Sequence, residues 1–423
     1  MTSVSHDPPP AAGAPSRFRS AFRHRAFTLF WGARIAAALA LQMQVVAVGW
    51  QIYAMTGNPL DLGLVGLFQF LPTLALALVA GHVVDSRDRR RVLLACLLVV
   101  TAAVATLALL TAAGRLTPWL IFSVVFVIGA AKSFEGPGYQ ALLSATVPVE
   151  ELPNAVAWYS SAHQVATVAG PALGGLLYIA GPTVVYGTST ALLALAALAM
   201  HRLRPRRVDL PPRAMSWSTL LAGIGFIRSR PAILGAISLD LFAVLLGGAT
   251  ALLPVFAGDI LHVGPWGLGV LRSAPAVGAL LMALALARWG VERRAGPKML
   301  VAVAVFGVAT IVFGLSRDAV LSFVALAALG AADQVSVFVR QTLIQLSTPD
   351  QMRGRVGAVS SLFIGASNQL GEFESGVAAV LLGAVGSVVA GGAGAILIAA
   401  LWAWRFPALR GIDRLRDLGR AVP

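Results

Sequence analysis

An all-α membrane protein, with twelve spans folded as two pseudo-symmetric six-helix bundles, is the fold class this sequence predicts, and three observations predict it. Of its 423 residues, 58% are hydrophobic and only 12% charged, with a mean hydropathy of +0.81, far from the balance of a water-soluble domain. The apolar residues gather in runs long enough for the ~20 residues that a helix needs to cross a bilayer. The two halves repeat at an offset of roughly 200 residues, so that 152–156 falls against 352–356, and 170–175 against 371–376.

Residues 1–25 read as a cytoplasmic tail. They are Pro and Ala rich, then carry Arg17, Arg19, Arg23 and Arg25, and no small-residue cleavage site follows a short apolar core. Helix 1 follows at 26–53, the turn Thr56-Gly57-Asn58 leads to helix 2 at 59–84, and helix 3 runs over 92–114. Arg115-Leu116-Thr117 turns the chain into helix 4 at 118–143. A loop at 144–154 with Pro148, Glu150, Glu151 and Pro153 leads to helix 5, ending near 179, and helix 6 covers 183–201. Hydropathy breaks at 202–231, where arginines precede Pro211-Pro212 and an amphipathic surface segment at 217–226. This is the linker between a first bundle, 26–201, and a second, 232–404. Helices 7 to 12 fall at 232–257, 265–289, 298–315, 319–346, 356–383 and 387–404, leaving 405–423 as a second tail.

The formal net charge of +14 reflects topology. Basic residues crowd the tails and alternate loops, with only Arg115 and Arg317 in the opposite set, which predicts that both termini and the linker face the cytoplasm of a bacterial inner membrane. Anionic lipid is the expected partner of these charges, and nucleic acid is not. Trp50, Tyr53, Trp119, Tyr178 and Trp266 fall at outer helix ends, and Trp158, Trp289, Trp402 and Trp404 at inner ends. Cys96 is the one cysteine, so no disulfide or thiolate metal site is expected, and the six histidines lack ligand spacing. With no Gly-x-x-x-x-Gly-Lys loop and no soluble domain, an enzyme and a bound cofactor are not expected.

Between helices 2 and 3 lies a charged block, Gly81-His82-Val83-Val84-Asp85-Ser86-Arg87-Asp88-Arg89-Arg90-Arg91. Gly81 permits close backbone approach, and Asp85 sits where it can pair with a cation on a neighbouring helix end. Gly81, Asp85, Arg89 and Arg90 resemble the signature loop of the major facilitator superfamily, with Ser86 and Asp88 in place of a basic residue and a second glycine. That resemblance implies alternating access, with these four residues acting as a conformational gate. Gly170-Pro171 followed by Gly174-Gly175 resembles the signature of drug and proton antiporters in the same superfamily. Gln51 with Thr56-Gly57, 141–143 leading to Pro148, 347–356, and Pro211-Pro212 with 220–223 look like the branch that includes the enterobactin exporter and macrolide efflux proteins, over about 22–404.

Arg34, Lys132, Glu135, Asp240, Arg272, Asp333, Arg340, Glu372 and Glu374 all fall within spans. At about 3 kcal/mol each in lipid, they must pair or line a wet cavity. Depth in the helices predicts two pseudo-symmetric pairs of exchanged sign, Arg34 with Glu135 and Asp240 with Arg340. Lys132 can also meet Glu135 along one helix face. Asp333 is the repeat counterpart of Lys132. Glu372 and Glu374 are separated by roughly 200° of helix rotation, so one is expected to face the cavity and the other a partner such as Arg272. A desolvated carboxyl can hold and release a proton near neutral pH, which makes Glu372, Glu374, Asp240 and Asp333 the proton-coupling candidates. Gln42, Gln44, Gln69, His163, Gln164, Asn368 and Gln369 are the candidate substrate contacts. The reading is a monomeric secondary-active exporter. It exchanges a small amphipathic molecule, siderophore-like or drug-like, for protons, with the proton gradient as energy source. A lipid or lysophospholipid flippase is the alternative, and a transporter-like sensor or scaffold an alternative of another class.

Overall fold

The structure, a computed structural model, describes residues 20–205, 217–291 and 293–415, and its regular elements are all helical. Twelve helices follow the spans: α1 Arg25–Thr56, α2 Pro59–Ser86, α3 Arg89–Ala112, α4 Pro118–Leu143, α5 Leu152–Tyr178, α6 Pro182–Arg202, α7 Pro231–Ile260, α8 Gly264–Trp289, α9 Ala295–Leu315, α10 Ala319–Ser347, α11 at 350–382 and α12 at 384–405. α11 and α12 run on as one rod, broken only at Gly383, where φ is 75° and ψ 163°. Among the described residues, ten helices are long and apolar enough to cross a membrane, counting that rod once. α5 falls short of them because Asn154, Ser160, Ser161, His163, Gln164 and Thr167 dilute its hydropathy. Much of both tails, linker residues 206–216 with Pro211-Pro212, and Glu292 lie outside the described residues.

Local chemistry sets the helix ends. Asn58 caps α2 by accepting from the Leu60 N–H, with Pro59 at the first helical position. Asp88 caps α3, accepting from the N–H groups of Arg90 at 3.0 Å and Arg91 at 3.3 Å. The helix therefore starts at Arg89, ahead of the expected 92, because charge ends an apolar run without ending a helix. Gly57, with φ 60°, closes α1. α9 borrows its cap from far along the chain: Arg294 N donates to Asp413 Oδ1 at 2.8 Å, and Ala295 N to the Asp413 carbonyl at 3.0 Å.

Helix 7 departs from the continuous span expected at 232–257. Its regular part is Pro231–Leu246, followed by a 3₁₀ turn Ala249–Leu252, a short turn Leu253–Val255 and a π-helical turn Phe256–Ile260. Gly247-Gly248 has poor helix propensity and Pro254 lacks an N–H, which accounts for the break.

Within the first half, α1 packs on α5 and α6, α2 on α4, and α3 on α4 and α6. Within the second, α7 packs on α11, α8 on α10, and α9 on α10 and α12. The short helix Trp217–Ser229 lies against α11, with Gly223 over the Arg355 carbonyl and Val359. The halves meet where α2 crosses α11 and α5 crosses α8. A methyl group on Gly376 would lie 3.0 Å from the Gly63 Cα, and one on Gly175 would lie 3.0 Å from the Gly269 Cα. Under the internal repeat, Gly63 corresponds to Gly269 and Gly175 to Gly376, so the two crossings are one contact used twice.

Candidate functional site

Between the halves lies a cavity of about 180 Å³, lined by Gln42 and Gln44 of α1, Gln69 of α2, Arg272 of α8, and Gln369 and Glu372 of α11. Glu372 lies flat against Gly66 of α2, where a methyl group would sit 2.7 Å from its Oε2. Arg272 Nη1 donates at 3.5 Å to the carbonyl of Thr250, in the 3₁₀ turn that interrupts α7. Arg272 and Glu372 face one cavity, each within reach of the other's charge though they form no ion pair among the described residues, so Arg272 attends the helix 11 acid that faces the cavity and not, as expected, the one that faces away. Gln42 donates to Thr167 Oγ1 at 3.3 Å, tying α1 to α5 beside the cavity.

A second cavity, of about 280 Å³, adjoins the first at Gln42 and Val45 and penetrates the first half among Arg34, Lys132, Glu135, Tyr139, Tyr159 and His163. Here the expected Arg34–Glu135 pair is not formed, nor is a Lys132–Glu135 pair. The Arg34 guanidinium instead lies 4.9 Å from the ring centre of Tyr139 and 5.3 Å from that of Tyr159, with Nη2 3.5 Å from His163 Nδ1. Two aromatic faces hold the cation by its charge distribution without using its hydrogen-bonding edge. Arg34 Nε and Glu135 Oε1 are buried with no hydrogen-bond partner among the described residues, a donor and an acceptor left unpaired in the wall of one cavity.

The second half solves the same positions differently. Arg340 of α10 and Asp240 of α7 form a buried ion pair. Asp333 and Ser336 share with Asp240 a void of about 10 Å³, closed by Val303 and Phe306. Arg340 is the repeat counterpart of Tyr139 and Asp240 that of Arg34, so the α1–α4 cation–ring contact becomes an α7–α10 ion pair. Tyr139 and Tyr159 were not among the residues expected from sequence. The repeat offset applied to Arg340 points to Tyr139, the signal that could have found it.

Other candidates fall outside these cavities. Glu374 lines neither. It shares a helix stripe with the exposed Leu370, Val377 and Leu381. Asn368 is exposed and lines neither cavity, and Gln164 bridges the halves by donating to the Ala276 carbonyl at 3.5 Å. In the Gly170-Pro171 motif, Gly170 sits against Gln42 and Gly174 against the Met43 backbone, so the motif serves close packing on α1 as well as the α5–α8 crossing. Gly81 is buried, and Arg90 donates from Nε to the Met200 carbonyl at 3.1 Å and from Nη2 to that of His201, fastening α3 to the end of α6. The side chain of Asp85 lies outside what the structure describes, and Arg89 is half-buried. At the opposite end, the Tyr53 hydroxyl donates to Asp259 in the π-helical turn, joining α1 to α7.

These features can be set beside known proteins. The family model described as transmembrane secretion effector matches residues 16–417. Proteins named enterobactin exporter EntS, from Citrobacter koseri and from Escherichia coli O1:K1 / APEC, are each 28% identical over 371 residues, covering 86% of this chain and 86% of theirs. Among solved structures, the POT family transporter PepTSo aligns with a TM-score of 0.71 at 12% identity, over 91% of this chain and 98% of that one. A bacterial homologue of the human lysosomal transporter Spinster, in an inward-facing and occupied conformation, aligns with a TM-score of 0.69 at 13% identity, over 93% of this chain and 98% of that one. The chain belongs to the transmembrane secretion effector family, and is a multi-pass transporter of the major facilitator superfamily.

Proposed function

We propose that this protein exports a small amphipathic organic molecule, siderophore-like or drug-like, across the bacterial cytoplasmic membrane in exchange for protons. The observation that carries the reading is the pair of adjoining polar cavities, beside which Gly63 on Gly376, Gly175 on Gly269 and Tyr53 on Asp259 join the halves at one end. In the orientation that loop charge favours, with both termini cytoplasmic, the joined end faces outward and the cavities are served from inside the cell. Cargo bound there leaves when the halves rock about the cavity and part at the outer end. The names of the relatives support export and a siderophore-like cargo.

Four glutamines with Arg34, Lys132 and Arg272 line the cavities beside the rings of Tyr139 and Tyr159, a lining suited to a cargo rich in acceptor oxygens with flat apolar parts. Glu372 is the acid in the central cavity and the carrier of the exchanged proton in this reading. The test uses proteoliposomes with an imposed pH gradient and a panel of siderophores and macrolides. Glu372→Gln is expected to abolish uphill transport while keeping counterflow exchange. Wild-type concentration of cargo by that variant, with unchanged pH dependence, would move coupling to the Asp240–Asp333 site, and a panel in which nothing moves would end the exporter reading.

A further inference from the structure

Away from the transport cavities, at the end carrying the start of α1, a cleft of about 630 Å³ is walled by Arg25, Ala26 and Leu29 of α1, Arg90 of α3, and His201, Arg202 and Arg204 at and beyond the end of α6. Its described walls hold four guanidiniums and an imidazole and no carboxylate. Arg90 is committed to the carbonyls of Met200 and His201. Arg25, Arg202 and Arg204 form no ion pair among the described residues, and the neighbouring acids are engaged elsewhere: Asp88 caps α3 and pairs with Arg91 at 3.5 Å, and Glu151 contacts His24 at 3.0 Å. Loop topology accounts for cations on this side of the molecule. It does not account for three helices converging them on one concavity.

The rim of the cleft lies where α3 begins and α6 ends, and a span's ends are where a bilayer's phosphate layer falls, while Leu29, a turn into α1, and Ala26 give the cleft an apolar wall. Guanidinium forks match phosphate oxygens in pairs. We infer that this cleft is a binding site for the phosphate group of an anionic phospholipid, with Arg25, Arg202 and Arg204 on the headgroup and Leu29 against the first acyl carbons. A free phosphate would use the same forks but leave the apolar wall without a partner.

The test takes the full-length protein in detergent and measures, by native mass spectrometry, binding of phosphatidylglycerol, phosphatidylcholine and inorganic phosphate. The variant Arg25→Gln/Arg202→Gln/Arg204→Gln is compared with Arg228→Gln/Arg288→Gln/Arg410→Gln, which removes equal charge at exposed positions elsewhere. Phosphatidylglycerol binding is expected to fall at least fivefold in the first variant and stay within twofold in the second, with millimolar phosphate failing to displace the lipid. Equal losses in both variants, equal binding of phosphatidylcholine, or displacement by free phosphate would each overturn the proposal. Arg204→Glu alone, at an exposed position, keeps the comparison decisive should the triple variant fail to fold.

Discussion

Arg340 donates to Asp240 at the two positions that correspond, under the internal repeat, to Tyr139 and Arg34, where a guanidinium lies over a ring instead. One helix-to-helix contact has thus been built twice, once from opposite charges and once from a charge and a quadrupole. The two versions answer differently to mutation.

Arg340 is 3% exposed and Asp240 5%, so removing either partner strands a charge without water. Breaking such a buried pair costs on the order of 3–5 kcal/mol, whereas replacing both partners by apolar groups of similar size is often neutral. Arg340→Met and Asp240→Asn are each expected to lower the thermal unfolding midpoint sharply, and Asp240→Leu with Arg340→Met to restore most of it. Thermal unfolding in detergent followed by size exclusion reads this directly, and single variants as stable as wild type would remove the pair from the fold's supports.

In the first half the loss should appear in cargo affinity more than in stability. Tyr139→Leu and Tyr159→Leu remove faces worth about 0.5–2 kcal/mol to Arg34 and leave its guanidinium free to swing towards Glu135. A cargo Kd raised several-fold is the expected result for both, with little change in unfolding temperature for the half-buried Tyr159 and an added packing loss for the buried Tyr139. The reverse pattern would make the tyrosines packing residues only.

The hydroxyl of Tyr53 donates to Asp259 across the seam between the halves, at the end of α7 that the proposed orientation turns outward. Tyr53→Phe should release about 1 kcal/mol, shifting the outward-open population roughly fivefold. Spin labels on cysteines at Arg115 and Arg317, in a Cys96→Ser background, report the outer separation by electron resonance. An unchanged distance distribution would show that the seam closes without the latch.

Glu374 faces away from both cavities, so Glu374→Gln is expected to keep uphill transport where Glu372→Gln loses it. Parallel assays in one proteoliposome preparation separate the two, and equal loss in both would point to a cavity reaching further round α11.

Cysteines placed singly at Ser3, Asp209 and Pro423 should resist an impermeant thiol reagent in whole cells and react after lysis. Labelling of intact cells at Asp209 would place the linker outside and reverse the direction of transport argued above.

Much of the architecture was legible because burial in lipid forces long apolar runs, and depth in the helices carried Asp240 to Arg340. What stayed hidden was whatever hydropathy does not weigh. Gly247-Gly248 and Pro254 are apolar enough to pass as span, yet they break α7 and free the Thr250 carbonyl that Arg272 uses. Matching opposite charges led to Arg34 with Glu135 and overlooked Tyr139 and Tyr159, since a ring's attraction for a cation leaves no mark in a charge count. The Asp413 cap on α9 joins segments more than a hundred residues apart, and no local pattern announces it.

The paired glycine crossings bear on how such a molecule moves as a machine. Side chains that interlock act as gear teeth, and each step past a tooth needs a rotamer to give way. Where Gly63 meets Gly376 and Gly175 meets Gly269, backbone rests on backbone with no tooth on either surface, so the two crossings are smooth faces that can slide or separate without a rotamer giving way. A smooth face resists such movement little, and it has no detent of its own. The holding torque at the outer face therefore falls to whatever side chains span the seam.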